Sequence, residues 1–207
     1  MPSYKAPTRD VRFIVNELLA LESQGLAGGG ADIVDAVIEE AGRFASEVLA
    51  PLNASGDAAG CTRDADGSVT TPPGFREAHA RFREAGWATL AAPEAFGGQG
   101  LSDVLGFAVE EFMSSANQAF AMYPGLTNGA VAALLARGSD DLQRRYVPKM
   151  VSNEWLGTMN LTEPQCGTDL GLIRTRAEAR GDGSWAITGT KIFISAGEHD
   201  LTENIIH

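Results

Sequence analysis

The residues of this chain best suited to chemistry lie in two short runs. They are Leu161-Thr162-Glu163-Pro164-Gln165-Cys166-Gly167-Thr168-Asp169 and Gly189-Thr190-Lys191-Ile192-Phe193-Ile194-Ser195-Ala196-Gly197. In the first, Pro164 fixes one φ and Gly167 permits backbone angles that other residues resist. Around them stand hydroxyls at Thr162 and Thr168 and carboxylates at Glu163 and Asp169. A loop with constrained ends and several short polar groups can present donors and acceptors to a planar, polar ligand. The plainer alternative is a strand-to-strand connection whose polar groups satisfy one another, and composition alone favours it.

Other candidate chemistries lack a required part. Cys166 has no nearby His in sequence to activate it as a nucleophile. Cys61 and Cys166 are far apart and form no C-x-x-C pair, so neither a disulfide framework nor a zinc site is expected. Asp64-x-Asp66-Gly67 would need an acid at 62 and a Glu at 73 to resemble an EF-hand loop, but those positions hold Thr62 and Pro73. The glycines at 97, 98 and 100 are not G-x-G-x-x-G, and Gly183 to Lys191 lacks Walker spacing. His79, with Arg81 and Arg83 beside it, is expected to be solvated, as are Arg144, Arg145 and Lys149. His199 follows the second run and receives no role.

The elements that must position these runs follow from periodicity. Val11, Ile14, Val15, Leu18 and Leu19 have helical spacing, with Thr8 or Asp10 able to cap. A second helix from Asp32 carries Val34, Val37, Ile38, Ala41, Phe44, Val48 and Leu49, and Pro51 is expected to end it. Residues 53–71 read as an exposed polar loop. Pro73 opens a third helix with Phe75, Ala78, Phe82 and Ala85 on one face. Ser102 opens a fourth, apolar on most sides (Val104, Leu105, Phe107, Ala108, Val109, Phe112, Met113), which belongs in the middle of a bundle. A fifth runs over 127–137. A sixth is capped by Ser139-Asp140-Asp141, and Pro148 should kink or divide it.

After Asn153 the period changes. Strands are expected at 155–161, 173–180, 185–188 and 190–195, with Asp182-Gly183 as a hairpin turn. Helices followed by strands imply an α+β chain: an N-terminal helical bundle and then the first strands of a β-barrel-like middle domain, truncated. The expected divisions are an extension over 1–30, a helical domain over 31–154 and an incomplete β domain over 155–207.

Bulk properties narrow the class. The 207 residues are 44% hydrophobic and 21% charged, which suits a folded soluble protein. The net charge of -11 argues against a nonspecific nucleic-acid binder. Met1-Pro2-Ser3-Tyr4-Lys5 has no apolar leader and no run reads as a membrane span, so a cytoplasmic protein is expected.

Four segments in order resemble the acyl-CoA dehydrogenase superfamily. These are Pro93-Glu94-Ala95-Phe96-Gly97-Gly98-x-Gly100, Gln143-Arg144-Arg145-Tyr146-Val147-Pro148-Lys149-Met150 and the two runs at 162 and 191. Tyr4 to Phe13 resembles the start of a longer bacterial branch. The resemblance implies a helical domain, a β domain and a C-terminal helical domain, with FAD as cofactor. It implies that Met159 and Leu161 approach the isoalloxazine ring and that Thr162 reaches its pyrimidine edge. Gly167 and Thr168 would approach the cofactor, with Thr168 also on the CoA side. Phe193, where the family usually has Trp, would cover a ring face. Ser195, where the family usually has Thr, would aim its hydroxyl at flavin N5. Phe193 as core, Met159 as gap filler, and Thr162 and Ser195 as backbone-bonded strand-end hydroxyls remain the structural alternatives.

The implied reaction is α,β-dehydrogenation of an acyl-CoA thioester, with electrons passed to an electron-transfer flavoprotein or similar acceptor. No catalytic residue is expected within the chain. The base is expected to be a Glu beyond His207, and the chain a fragment inactive alone. A homodimer or homotetramer is implied for the full length, with no nucleic-acid or membrane partner. Two rival readings are an oxidase of the same superfamily and a non-enzymatic DNA-associated flavoprotein. Pockets that set acyl-chain length are expected to lie largely outside this segment.

Overall fold

The computed structural model describes residues 4–26 and 28–206. The expectations at residues 1–3, 27 and 207 fall outside them. Thr8–Arg12 forms a short helix, α1, that widens into a π-helical segment, Phe13–Leu18. The start is marked by Pro7, whose carbonyl accepts from Asp10 and Val11, and no side chain of Thr8 or Asp10 caps it. Widening to i+5 bonds shifts the stripe. Only Val11 and Val15 are buried, while Ile14, Leu18 and Leu19 face solvent.

The second helix is longer than its sequence pattern suggests. α2 (Ala31–Phe44) passes through a second π segment (Ala45–Leu49) into α3 (Ala50–Ala59). Pro51 does not end it. It sits in the first turn of α3, where a missing N–H is tolerated. The polar stretch is therefore helical to Ala59, and only a small antiparallel pair follows, β1 (Thr62–Arg63) with β2 (Val69–Thr70).

α4 (Phe75–Glu84) buries Phe75, Ala78, His79 and Phe82, while Ala85 falls outside the helix and is exposed. His79 is 2% exposed, which corrects the solvated reading. Positions 75, 78, 79 and 82 have i, i+3, i+4, i+7 spacing, so the histidine shares the apolar face. α5 (Asp103–Ala116) is capped by the Ser102 hydroxyl, which accepts from the Val104 amide. It buries Leu105, Val109, Phe112 and Met113, but Phe107 is 69% exposed, so the helix is not surrounded.

α6 (Gln118–Arg137) begins nine residues before the expected start at 127 and runs through Pro124. Asn117, 1% exposed, caps it by accepting from the Phe120 amide and donates to the Leu49 carbonyl. By length and composition α6 could cross a membrane, the one such helix among the described residues. It packs instead against α5 and α7 (Asp140–Val151). Ser139 caps α7, and Gln143 donates back to the Leu134 and Gly138 carbonyls at the end of α6. Pro148 does not divide α7. Val147, Met150 and Val151 are buried, so packing outweighs the one backbone bond lost.

An aromatic chain joins the helices. Phe75 and Phe82 meet Phe120 edge-on at centroid distances of 6.0 and 5.9 Å, and Phe44 lies 6.3 Å from Phe82. Strands follow as short pairs. β3 (Trp155–Gly157) lies parallel to β6 (Asn204–Ile206), and β4 (Arg176–Ala179) is antiparallel to β5 (Trp185–Thr188). The 155–161 strand is thus shorter than expected. No strand forms at 190–195, because Phe193 has a φ of 55°, incompatible with extended backbone.

Candidate functional site

The first run folds on itself. Glu163 and Cys166 exchange amide-to-carbonyl bonds of 2.9 and 3.0 Å, leaving Pro164 and Gln165 as a two-residue turn. The Cys166 thiol is buried and donates to the Asp169 carbonyl at 3.0 Å. Asp169 Oδ1 accepts from the Gly171 amide and caps the short turn Leu170–Leu172. Both groups are thereby engaged within the loop.

The second run lies alongside the first in the opposite direction. The Ile192 amide donates to the Thr162 carbonyl at 3.0 Å, and the Thr158 hydroxyl donates to the Ser195 carbonyl. Lys191 Nζ donates to the Leu161 carbonyl at 2.9 Å. The pair is fixed to the helices at two points. The Gly157 amide donates to Thr127 Oγ1 of α6 at 3.0 Å. Asp200 Oδ1 accepts from the Thr71 amide and hydroxyl at 3.0 and 2.7 Å. Between these anchors His199 is buried edge-on against Tyr123, with ring centroids 5.1 Å apart. Burial first, then the charges of Arg83 and His199, lower the His79 pKa to about 4.

Glu163 is the one carboxylate drawn inside this pair, at 3% exposure. Hydrogen bonding from Thr175, the Arg174 amide and the Lys191 ammonium holds its carboxyl well below the usual carboxylate range. It is therefore a fixed anion and a poor proton acceptor.

Of the residues singled out by sequence, Met159 is 59% and Phe193 88% exposed. Neither is core or gap filler. Gly167, Thr168 and Ser195 are exposed, and Leu161 and Thr162 are half-buried. Among the described residues, the Thr162 and Ser195 hydroxyls make no hydrogen bond within the protein. Phe193 holds a left-handed backbone that is costly for a bulky side chain, with its ring in solvent. Leu172, Trp185 and Ile187 are also more than half exposed, and Leu170 is 49% exposed. Sequence reasoning missed this apolar surface, although Trp185 and Ile187 alternate along one face of β5. Free hydroxyls beside exposed apolar groups suit a flat ligand with one polar edge and one apolar face, as an isoalloxazine has.

A second feature was absent from the sequence reading. A mainly apolar cavity of about 520 Å³ lies between α5, α6 and the 87–93 segment. Leu90, Gly106, Val109, Glu110, Met113 and Gly125 are among its lining residues. The glycines keep it open: a Cβ at Gly106 would already stand 3.2 Å from that of Ala91. The neighbouring loop is set by Gly98, where a Cβ would fall 1.9 Å from the Ala92 carbonyl oxygen.

A helical bundle that passes into short strands, with a cavity in the helices and paired loops at the junction, is an α+β architecture shared with known enzymes. The chain belongs to the acyl-CoA dehydrogenase family, and residues 32–154 match its N-terminal domain. It is 44% identical over 209 residues to 3-methylmercaptopropionyl-CoA dehydrogenase of Ruegeria pomeroyi, covering 99% of this chain and 35% of that protein. It is 32% identical over 213 residues to a butyryl-CoA dehydrogenase of Syntrophomonas wolfei subsp. wolfei, again covering 99% and 35%. Butyryl-CoA dehydrogenase from Megasphaera elsdenii shares the fold, with a TM-score of 0.66 at 22% identity, over 82% of this chain and 42% of that one. The chain spans about a third of the length of the curated relatives it matches.

Proposed function

We propose that this chain forms the helical domain and the flavin-facing loops of a FAD-dependent acyl-CoA dehydrogenase. The division would be an extension over 1–30, a helical domain over 31–154 and the start of a β domain from 155. One observation carries the reading: the runs at 162 and 192 lie side by side, with Met159, Phe193 and Ser195 exposed and the Thr162 and Ser195 hydroxyls free of bonds within the protein. When bound, FAD supplies a hydride acceptor for the β-hydrogen of an acyl-CoA thioester. Leu161 and Met159 offer apolar contact, and Thr162 and Ser195 offer hydroxyl donors. Phe193 covers a ring face and keeps water from it. Gly167 and Thr168 lie on the exposed stretch past the turn, where Thr168 serves both cofactor and CoA. The cavity between α5 and α6 receives the acyl chain.

The α-proton requires a carboxylate whose pKa is raised toward working pH. Glu163 has the opposite shift and Asp169 is spent on a cap. Neither residue of the paired loops fills that role, and the family resemblance assigns the base to a Glu outside these 207 residues. An electron-transfer flavoprotein or similar carrier is the proposed acceptor, and a homodimer or homotetramer the proposed assembly. The test is turnover of acyl-CoAs with a dye acceptor by the full-length protein, which is expected to purify yellow. A colourless protein that binds no added FAD would overturn the reading. Peroxide release in air, in place of dye reduction, would assign an oxidase.

A further inference from the structure

Glu163 stands between the two runs and outside every contact set proposed above. Its neighbours Pro164, Gln165, Gly167 and Thr168 are exposed, yet it is buried. A carboxylate out of water needs its lone pairs filled. Oε2 accepts from the Arg174 amide at 2.8 Å and from Gln165 Nε2 at 2.6 Å. Oε1 accepts from the Thr175 amide at 2.9 Å and from Lys191 Nζ at 3.0 Å. These donors come from the turn, from the segment entering β4 and from the second run. Lys191 in turn donates to the carbonyl of Leu161, the residue before Thr162, and stands two residues before Phe193. Gly189 presses on the same point, since a Cβ there would lie 2.0 Å from Thr175 Oγ1.

We propose that Glu163 is the positioning residue of the flavin site: by holding Lys191 and the Arg174–Thr175 backbone together, it sets Thr162 and Phe193 against the ring and neutralises the one cation placed between them. The inference rests on FAD being the ligand of these loops. Both carboxylate oxygens are needed, because each faces a backbone amide. A glutamine would turn an NH2 toward one of those donors and leave it unpaired. It would also leave the Lys191 charge, on a side chain only 20% exposed, without its counter-ion.

The experiment compares Glu163→Gln, Lys191→Met, Lys191→Arg and the double variant E163Q/K191M in the full-length holoenzyme. Glu178→Gln, at an exposed ion pair with Arg176, is the control. E163Q is expected to weaken FAD binding at least tenfold and to raise the flavin midpoint potential, because an unbalanced cation favours the electron-rich reduced flavin. K191M leaves an unbalanced anion and is expected to lower the potential. The double variant should return toward the wild-type potential, and K191R should stay near it. A purely structural role would lower thermal stability in both single variants without moving the potential in opposite directions. If E163Q binds FAD within twofold of the wild type at an unchanged potential, the proposal fails while FAD binding stands. If E163Q does not fold, K191M decides: a potential equal to that of K191R overturns it. A wild type that binds no FAD removes both the inference and the function on which it rests.

Discussion

At the scale of single residues, the site combines one strained residue with one fully satisfied carboxylate. Phe193 stands at φ 55° with 88% of its surface exposed, a cost with no folding return inside the chain. Such strain costs roughly 1–3 kcal/mol and is concentrated where ligands bind. Phe193→Gly is therefore expected to leave thermal stability unchanged or raised by about 1 kcal/mol, while FAD titration shows weaker binding; a lower Tm would contradict this. Two residues give opposite ends of an acid profile. His79 is held neutral, with its pKa at about 4 instead of 6.5, so its contribution is complete above pH 6.5 and lost as pH falls toward 4. Urea melts should lose on the order of 2–3 kcal/mol across that window, and His79→Leu should flatten it. Glu163 is held ionised, so its contribution is present above the unfolded carboxylate pKa and declines only below about pH 4. E163Q should lower stability above about pH 4 and flatten that lower limb. His79 was legible from its place at i+4 from Phe75, but the arginines near it in sequence suggested a wet face.

At the scale of elements, caps and widened turns decide where helices begin and bend. Ser102 and Ser139 were readable as caps, because serine ahead of an apolar run is a local signal. Asn117 was not: the fifth helix was expected only from 127, past Pro124 and Gly125. Burial of Phe120, Ala121 and Tyr123 overrides that local preference. Asn117 also joins α6 to the end of the preceding π segment through the Leu49 carbonyl. Asn117→Ala should therefore cost about 2–4 kcal/mol, a cap plus a buried unpaired carbonyl, whereas Ser139→Ala at an exposed cap should cost about 1. Equal losses in denaturant titrations would contradict the double role. The run at 190–195 misled in the other direction. Its Ile and Phe residues have strand propensity, but the backbone at 193 and 196 is left-handed, which strand propensity does not register.

At the scale of the whole molecule, the helical bundle contributes a cavity and the strand-bearing part contributes the paired loops, joined through Thr127, Thr71 and Asp200. The acyl-chain assignment predicts a selective defect. Gly125→Leu should fill the cavity, where a Cβ meets only Glu110 at 3.6 Å, and weaken long acyl-CoAs more than short ones. FAD binding should not change. Equal effects on all chain lengths would detach the cavity from the acyl group. The 207-residue chain alone is expected to show no dye-linked turnover, because Glu163 is held ionised and Asp169 caps the 170–172 turn; robust turnover would place the base within it.

The sequence by itself determined the family and the α+β class and singled out two candidate runs, because these depend on residue type, order and local periodicity. It also determined the hairpin at Asp182-Gly183 and the serine caps, which act within a few residues. Only the tertiary structure decided that the two runs lie side by side, that Glu163 is buried with four donors while Thr162 and Ser195 keep free hydroxyls, and that α5 and α6 leave a cavity. Those outcomes depend on which distant backbone reaches a given carboxylate and on how closely two helices approach. No pattern along one strand or helix contains that information, because contacts across the chain set both.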